Sequence, residues 1–172
     1  MAKICLVTGG LGFIGQYVVH GLLQRGETVR VLDLAQPTLK IPGVDYIQGS
    51  ITDGALVSAA MENVDWVFHL AANAGLWSPR KQDFLTINQV GTRTVMTAAQ
   101  AAGVGRVVHT STESILKTDR LRTDRKKHQK RAPMGQALID ESVQLTFDDM
   151  VGAYCQGKYL AEQEALAAAA LG

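Results

Sequence analysis

The sequence predicts a doubly wound α/β fold, a parallel β-sheet with helices on both faces. Three observations predict it. Short β-rich runs alternate with helix-like runs through most of the chain. A glycine-rich turn joins the first β-rich run to the first helix-like one. The 172 residues, 47% hydrophobic and 19% charged, suffice for one core in one domain.

Each element has its own signal. Lys3–Thr8 (KICLVT) is β-rich and stops at glycines. The next run, 13–25, places Ile14, Val18 and Leu22 at helical spacing and ends at Gly26. Thr28–Leu34 (TVRVLDL) is strand-like again, and Val44–Gln48 is a short strand. A helix follows over 54–62, then a buried strand over Trp66–Leu70 (WVFHL). A long helix is expected over 82–102, a fifth strand over 106–110, and a helix rich in Ala, Glu and Leu over 154–171. Right-handed crossovers between parallel strands put helices on both faces. A sheet of this type usually has a sixth strand. The sequence is therefore read as one domain over 1–172 with about five strands present, stopping where the next strand should begin.

Composition excludes several classes. The net charge is only +1, which disfavours a nucleic-acid partner. No apolar run approaches the ~20 residues of a membrane span. The N-terminus lacks a secretory pattern. Cys5 and Cys155 cannot make a disulfide framework, and neither they nor the four histidines show metal-ligand spacing. No metal is expected, and a cytoplasmic, reducing setting is. One segment departs from the rest: Lys117–Arg131 (KTDRLRTDRKKHQKR) holds eight Lys or Arg and two Asp. Within 117–140 it reads as an exposed, flexible loop, with a phosphate- or nucleic-acid-contacting patch as the alternative.

The turn itself reads Val7-Thr8-Gly9-Gly10-Leu11-Gly12-Phe13-Ile14-Gly15. It follows a strand and opens a helix, the setting in which G-x-G-x-x-G binds a dinucleotide. The early glycines permit a tight turn, Gly12 lets the backbone approach a pyrophosphate, and Gly15 brings helix and strand together. The helix N-terminus offers free N–H groups and a positive dipole end to the anion. Asp33 closes the second strand eighteen residues after Gly15. An acid there binds ribose hydroxyls and repels a 2′-phosphate, so NAD is expected rather than NADP. Arg30 lies inside the strand and is poorly placed to hold such a phosphate.

Tyr154 and Lys158, at i and i+4, share one face of a helix. A cation one turn away stabilises a phenolate, so the pair suits proton exchange with a substrate hydroxyl. The Lys can also hold the nicotinamide ribose. Thr110-Ser111-Thr112 follows the fifth strand, where ligands of such sheets bind, and any of these hydroxyls could orient a substrate carbonyl.

Taken together, these residues resemble the extended short-chain dehydrogenase/reductase family, the NAD-dependent epimerase/dehydratase group. TGGLGFIG (Thr8–Gly15), HLAA (His69–Ala72), Asn88 with Gly91-Thr92, VVHTST (Val107–Thr112) and YCQGK (Tyr154–Lys158) carry the resemblance across the chain outside the basic segment. It is strongest to dihydroflavonol-reductase-like and hopanoid-associated sugar-epimerase-like members. The resemblance implies a Rossmann-type NAD-binding domain over 1–172, with the last strands and the substrate domain missing, and hydride transfer at a hydroxyl-bearing carbon of a small molecule such as a sugar nucleotide, a flavonol or a sterol. It implies Tyr154 as general acid/base, Lys158 as its partner and Thr112 as the catalytic hydroxyl, with Ser111 its neighbour. Gly9, Gly12, Phe13, Ile14, Gly15 and Asp33 would bind the cofactor, Ala71 and Ala72 would line its nicotinamide side, and Asn88 would support that wall. A homodimer through helices beside the fourth and fifth strands is compatible with the family. The alternative is a nucleotide-binding fragment without catalysis.

Two departures from the family pattern stand out. Ser50, followed by Ile51, occupies the adenine-side position where the family often has Asp, so adenine recognition should be weaker or different. Gly157 replaces the usual Ser before Lys158, which lowers helix propensity beside the pair. His69 and His109, at strand ends, are expected to be hydrogen-bonded structural residues. Trp77, beside Leu76 and Pro79, could wall a substrate pocket or simply pack.

Overall fold

The structure, a computed structural model, describes residues 2–75, 77–116, 141 and 145–172. The basic segment, with Leu76 and His128, lies outside the described residues. Five strands form one parallel sheet: β1 (Ile4–Thr8), β2 (Thr28–Asp33), β3 (Val44–Gln48), β4 (Trp66–His69) and β5 (Arg106–His109). Their spatial order is β3-β2-β1-β4-β5. The connection direction reverses between β1 and β4, so a crevice opens at the C-terminal ends of these two strands.

Alternation along β1 serves two cores. Cys5 and Val7 join Val29 and Val31 of β2 against Val19 and Leu22 of α1 (Phe13–Gln24). Leu6 and Leu32 point to the other face, against Val57 and Ala60 of α2 (Gly54–Ala60) and Val95, Ala98 and Ala99 of α4 (Gly91–Ala101). Successive strand side chains alternate in direction, so one apolar run feeds both layers. Asp53 caps α2 by accepting the Leu56 N–H at 3.1 Å.

Two expectations are corrected. The buried face of α1 is Gly15, Val19 and Leu22, one residue out of step with Ile14 and Val18. The close seat of Gly15 on the turn fixes the rotation of the helix, and Ile14 is left exposed toward the crevice. The helix expected over 82–102 is not uniform. A short turn, α3 (Gln82–Phe84), runs into a π-helical segment, Leu85–Val90, before α4 begins. Such wide turns occur frequently at functional sites.

The last helix, α5 (Gly152–Leu171), packs on the π-helical segment and on α4. Arg93 holds Glu164 with two hydrogen bonds, at 3.0 and 2.6 Å, and Gln89 adds a third at 3.1 Å. Closest approach comes at Gly157. A Cβ there would stand 2.7 Å from the Phe84 carbonyl oxygen. The glycine expected to weaken the helix is what lets it seat. Gly157→Ala is therefore expected to destabilise the fold by about 1–3 kcal/mol through overpacking, despite a helix-propensity gain of up to about 1 kcal/mol. Urea unfolding of the two proteins checks this.

Candidate active site

The crevice is a cavity of about 720 Å³ walled by the glycine turn, the ends of β2 and β4, and the loop after β3. Gly9 has φ +72°, and a Cβ on it would meet the Ala71 backbone nitrogen at 2.7 Å. A Cβ on Gly15 would overlap the Gly9 carbonyl oxygen. No larger residue fits this turn without moving β4 or α1. Gly12 caps α1 without a side-chain bond, and Phe13, Ile14 and Gly15 line the cavity. The N–H groups of the first turn have no partner within the helix, and their partial positive charge lies at the cavity wall.

Asp33 sits at the mouth of β2 in a fixed posture. One carboxylate oxygen accepts the Leu11 N–H at 3.0 Å, and the other accepts the Ala35 N–H at 3.1 Å. The carboxylate also lines the cavity. Arg30 is turned away, held by Asp45 at 3.0 Å and by the Ala60 and Glu62 carbonyls. Sequence reasoning found Asp33 but not its two backbone clamps, because no side chain marks them.

Ser50, Ile51, Ala71 and Ala72 also line the cavity. Asn88 does not. It is buried in the π-helical segment and holds the loop after β4 from behind. Its Oδ1 accepts the Asn73 N–H at 2.7 Å, and its Nδ2 donates to the Asn73 carbonyl at 3.2 Å.

Beneath the β1–β4 end lies a buried polar bridge that the sequence only hinted at. His69 Nδ1 and Thr8 Oγ1 are hydrogen-bonded at 2.7 Å, and His69 Nε2 and Thr92 Oγ1 at 3.0 Å. Thr8 Oγ1 also accepts the Ala71 N–H at 3.3 Å. Burial, with the charges of His109 and Lys158 adding to it, pushes His69 down to about 3. His109 faces it at 5.3 Å between ring centroids. Burial and then Lys158 push His109 down to about 4. The expected structural role holds for His69, whereas neither ring nitrogen of His109 has a partner among the described residues.

At the β5 end, Lys158 is 5% exposed, and its ammonium donates to the Thr110 carbonyl at 2.7 Å. Burial lowers its pKa, and Glu162 opposes that shift. Thr110 lines the cavity, so Lys158 meets the cavity through it. Tyr154 stands one turn before Lys158 on α5 and meets the edge of Phe84 at 6.4 Å between ring centroids. Thr112 is not part of the cavity wall. It lines a second hollow with Tyr159 and Glu162, and its hydroxyl donates to Glu113 at 3.1 Å. Ser111 Oγ is buried without a partner among the described residues. Trp77 is 78% exposed and does not line the cavity. Among the described residues, no helix is long and apolar enough to cross a membrane, and no group of three or more His, Cys, Asp or Glu could hold a metal.

Comparisons with known proteins agree with this geometry. A family model described as the 3-beta hydroxysteroid dehydrogenase/isomerase family matches residues 6–170. A 2-alkyl-3-oxoalkanoate reductase of Stenotrophomonas maltophilia is 37% identical over 95% of the chain and 46% of its own length. A decarboxylating sterol-4-alpha-carboxylate 3-dehydrogenase of Mus musculus is 37% identical over 67% of the chain and 31% of its own length. The solved structure of MoeE5 in complex with UDP-glucuronic acid and NAD superposes with a TM-score of 0.72 at 28% identity, covering 96% of this chain and 49% of that one. The chain spans about half the length of the curated relatives that it matches almost from end to end. With its parallel sheet, glycine turn and Tyr154–Lys158 helix, the chain belongs to the 3-beta hydroxysteroid dehydrogenase/isomerase family.

Proposed function

We propose that this chain is the cofactor-binding and proton-transfer part of an NAD-dependent oxidoreductase or epimerase acting at a hydroxyl-bearing carbon. Sugar nucleotides, flavonols and sterols are the substrate classes. One observation carries the reading: a single cavity has the clamped Asp33 carboxylate at one end and Thr110, joined to the buried Lys158 ammonium, at the other. NAD fits the residues present. The open N–H groups of α1 suit a pyrophosphate, and the Asp33 carboxylate, accepting only, suits ribose hydroxyl donors.

Bound NAD would supply the nicotinamide that exchanges hydride with the substrate carbon. The remaining chemistry belongs to the chain. Tyr154 takes the hydroxyl proton on oxidation and returns it on reduction. Lys158, anchored on the Thr110 carbonyl, puts its charge one helical turn from Tyr154 and would hold the nicotinamide ribose. Thr112, with Ser111 beside it, is the hydroxyl for the reacting oxygen, a role it takes by releasing Glu113 and turning from the second hollow toward the cavity. Ala71 and Ala72 keep their side of the wall apolar, and Asn88 holds the loop that carries them.

Cofactor choice is the direct test. Titrating the chain with NADH and with NADPH, followed by fluorescence, should show saturable binding that favours NADH. Asp33→Ser should cut that preference by about tenfold or more, since repulsion of a 2′-phosphate at close range is worth more than 1.4 kcal/mol. Equal binding of the two cofactors by the parent protein would refute Asp33 as selector.

A further inference from the structure

The β3 end of the cavity carries an unusual polar pair. The loop Gly49-Ser50-Ile51 stands beside Asp33, tied to it by the Gly49 N–H, which donates to the Asp33 carbonyl at 2.8 Å. A dinucleotide with its pyrophosphate at α1 and a ribose on Asp33 must turn its purine onto this loop. The other direction along the cavity leads to Thr110 and Lys158, where the redox ring belongs. Ser50 and Asp33 are the polar side chains at this end of the wall.

The Ser50 hydroxyl is half committed. Its oxygen accepts the Thr52 N–H at 3.1 Å and lies 2.7 Å from Thr52 Oγ1, where either hydroxyl can donate. A hydroxyl has one proton and two lone pairs. If Ser50 donates to Thr52, it keeps one lone pair free. If Thr52 donates to Ser50, both lone pairs are used and the Ser50 proton is free. Rotating two hydroxyls converts an acceptor into a donor, and no backbone atom has to move.

The purine edge asks for this choice. Adenine donates from its 6-amino group and accepts at N1. Hypoxanthine accepts at its 6-oxo group and donates from N1–H. A carboxylate offers only lone pairs and so selects by where the base donates. On the strength of the dinucleotide reading above, we propose that Ser50 and Thr52 form a reversible hydroxyl pair that makes the purine end indifferent between 6-amino and 6-oxo bases. The chain then takes nicotinamide hypoxanthine dinucleotide as well as NAD, and Ser50 sets that breadth.

The test is a binding titration, independent of turnover, with NADH and with reduced nicotinamide hypoxanthine dinucleotide. Circular dichroism confirms that each variant is folded. The parent chain should bind the two with dissociation constants within about threefold of each other. Ser50→Ala should weaken both by a similar factor, about two- to tenfold, the worth of one hydrogen bond. Ser50→Asp should restore selection, moving the ratio by about tenfold or more toward NADH. A parent preference for NADH well above threefold, or a ratio that Ser50→Asp leaves unmoved, overturns the proposal while leaving the cofactor assignment intact. Folded parent protein that binds neither dinucleotide overturns the cofactor assignment and this proposal with it.

Discussion

Tyr154→Phe is expected to lower turnover by about 10²- to 10⁴-fold, the range that a positioned proton-transfer group contributes. NADH binding should be unchanged. The substitution is clean because phenylalanine keeps the ring and its edge contact with Phe84. Lys158 stays where it is, since its anchor is the Thr110 carbonyl and not the phenol. Only the exchangeable proton is lost. The measurement is NADH absorbance under single-turnover conditions, with a hydroxyl-bearing substrate chosen from sugar nucleotides, flavonols and 3-hydroxysterols. Turnover within about tenfold of the parent would remove Tyr154 from the proton path.

Acidification should destabilise the fold through His69 and His109. Both are held neutral in the folded state, at about 3 and about 4, against an ordinary value of 6.5. The unfolded chain therefore binds protons below about pH 6.5 that the folded chain refuses. The stability these residues contribute is complete above that pH and drains away as pH falls toward 4 and then 3. At about pH 5 the loss is about 2 kcal/mol for His69, and smaller for the less enclosed His109. A domain has only about 5–15 kcal/mol in total. Urea unfolding at about pH 7.5 and about pH 5 measures the difference. His69→Gln, which can still bond to a threonine hydroxyl but does not titrate, should lessen the dependence and leave the smaller share of His109. An equal unfolding free energy at the two pH values in the parent would show that the pair does not govern acid stability.

What the sequence revealed divides along physical lines. Strands and the glycine turn were legible because their signals are local. An apolar run such as Trp66–Leu70 can hardly be anything else in this context, and Gly9, Gly12 and Gly15 announce a turn before a helix. Asp33 was legible because its distance from the turn is set by one helix and one strand. The facing of α1 was misread by one residue, since Ile14 and Gly15 have similar claims until the turn beneath them is seen. The π-helical segment left no trace either. One widened turn alters a helical period too little for the side-chain pattern to show it. The close seat of Gly157 on the Phe84 carbonyl joins residues 73 positions apart. Local propensity reads that glycine only as a weakness. The same limit hid the clamps on Asp33, which are backbone groups and carry no residue signature.

Those clamps have a thermodynamic consequence. A carboxylate on a free side chain loses rotamer entropy when a ligand fixes it. That of Asp33 is fixed when the chain folds, by amides at Leu11 and Ala35 that only a proline substitution deletes. Binding of a ribose therefore starts from an ordered partner, as preorganised sites do. It also ties recognition to the shape of two turns. Changes that loosen the backbone at position 11 or 35 would weaken the sugar contact through disorder alone, with every contacting side chain intact.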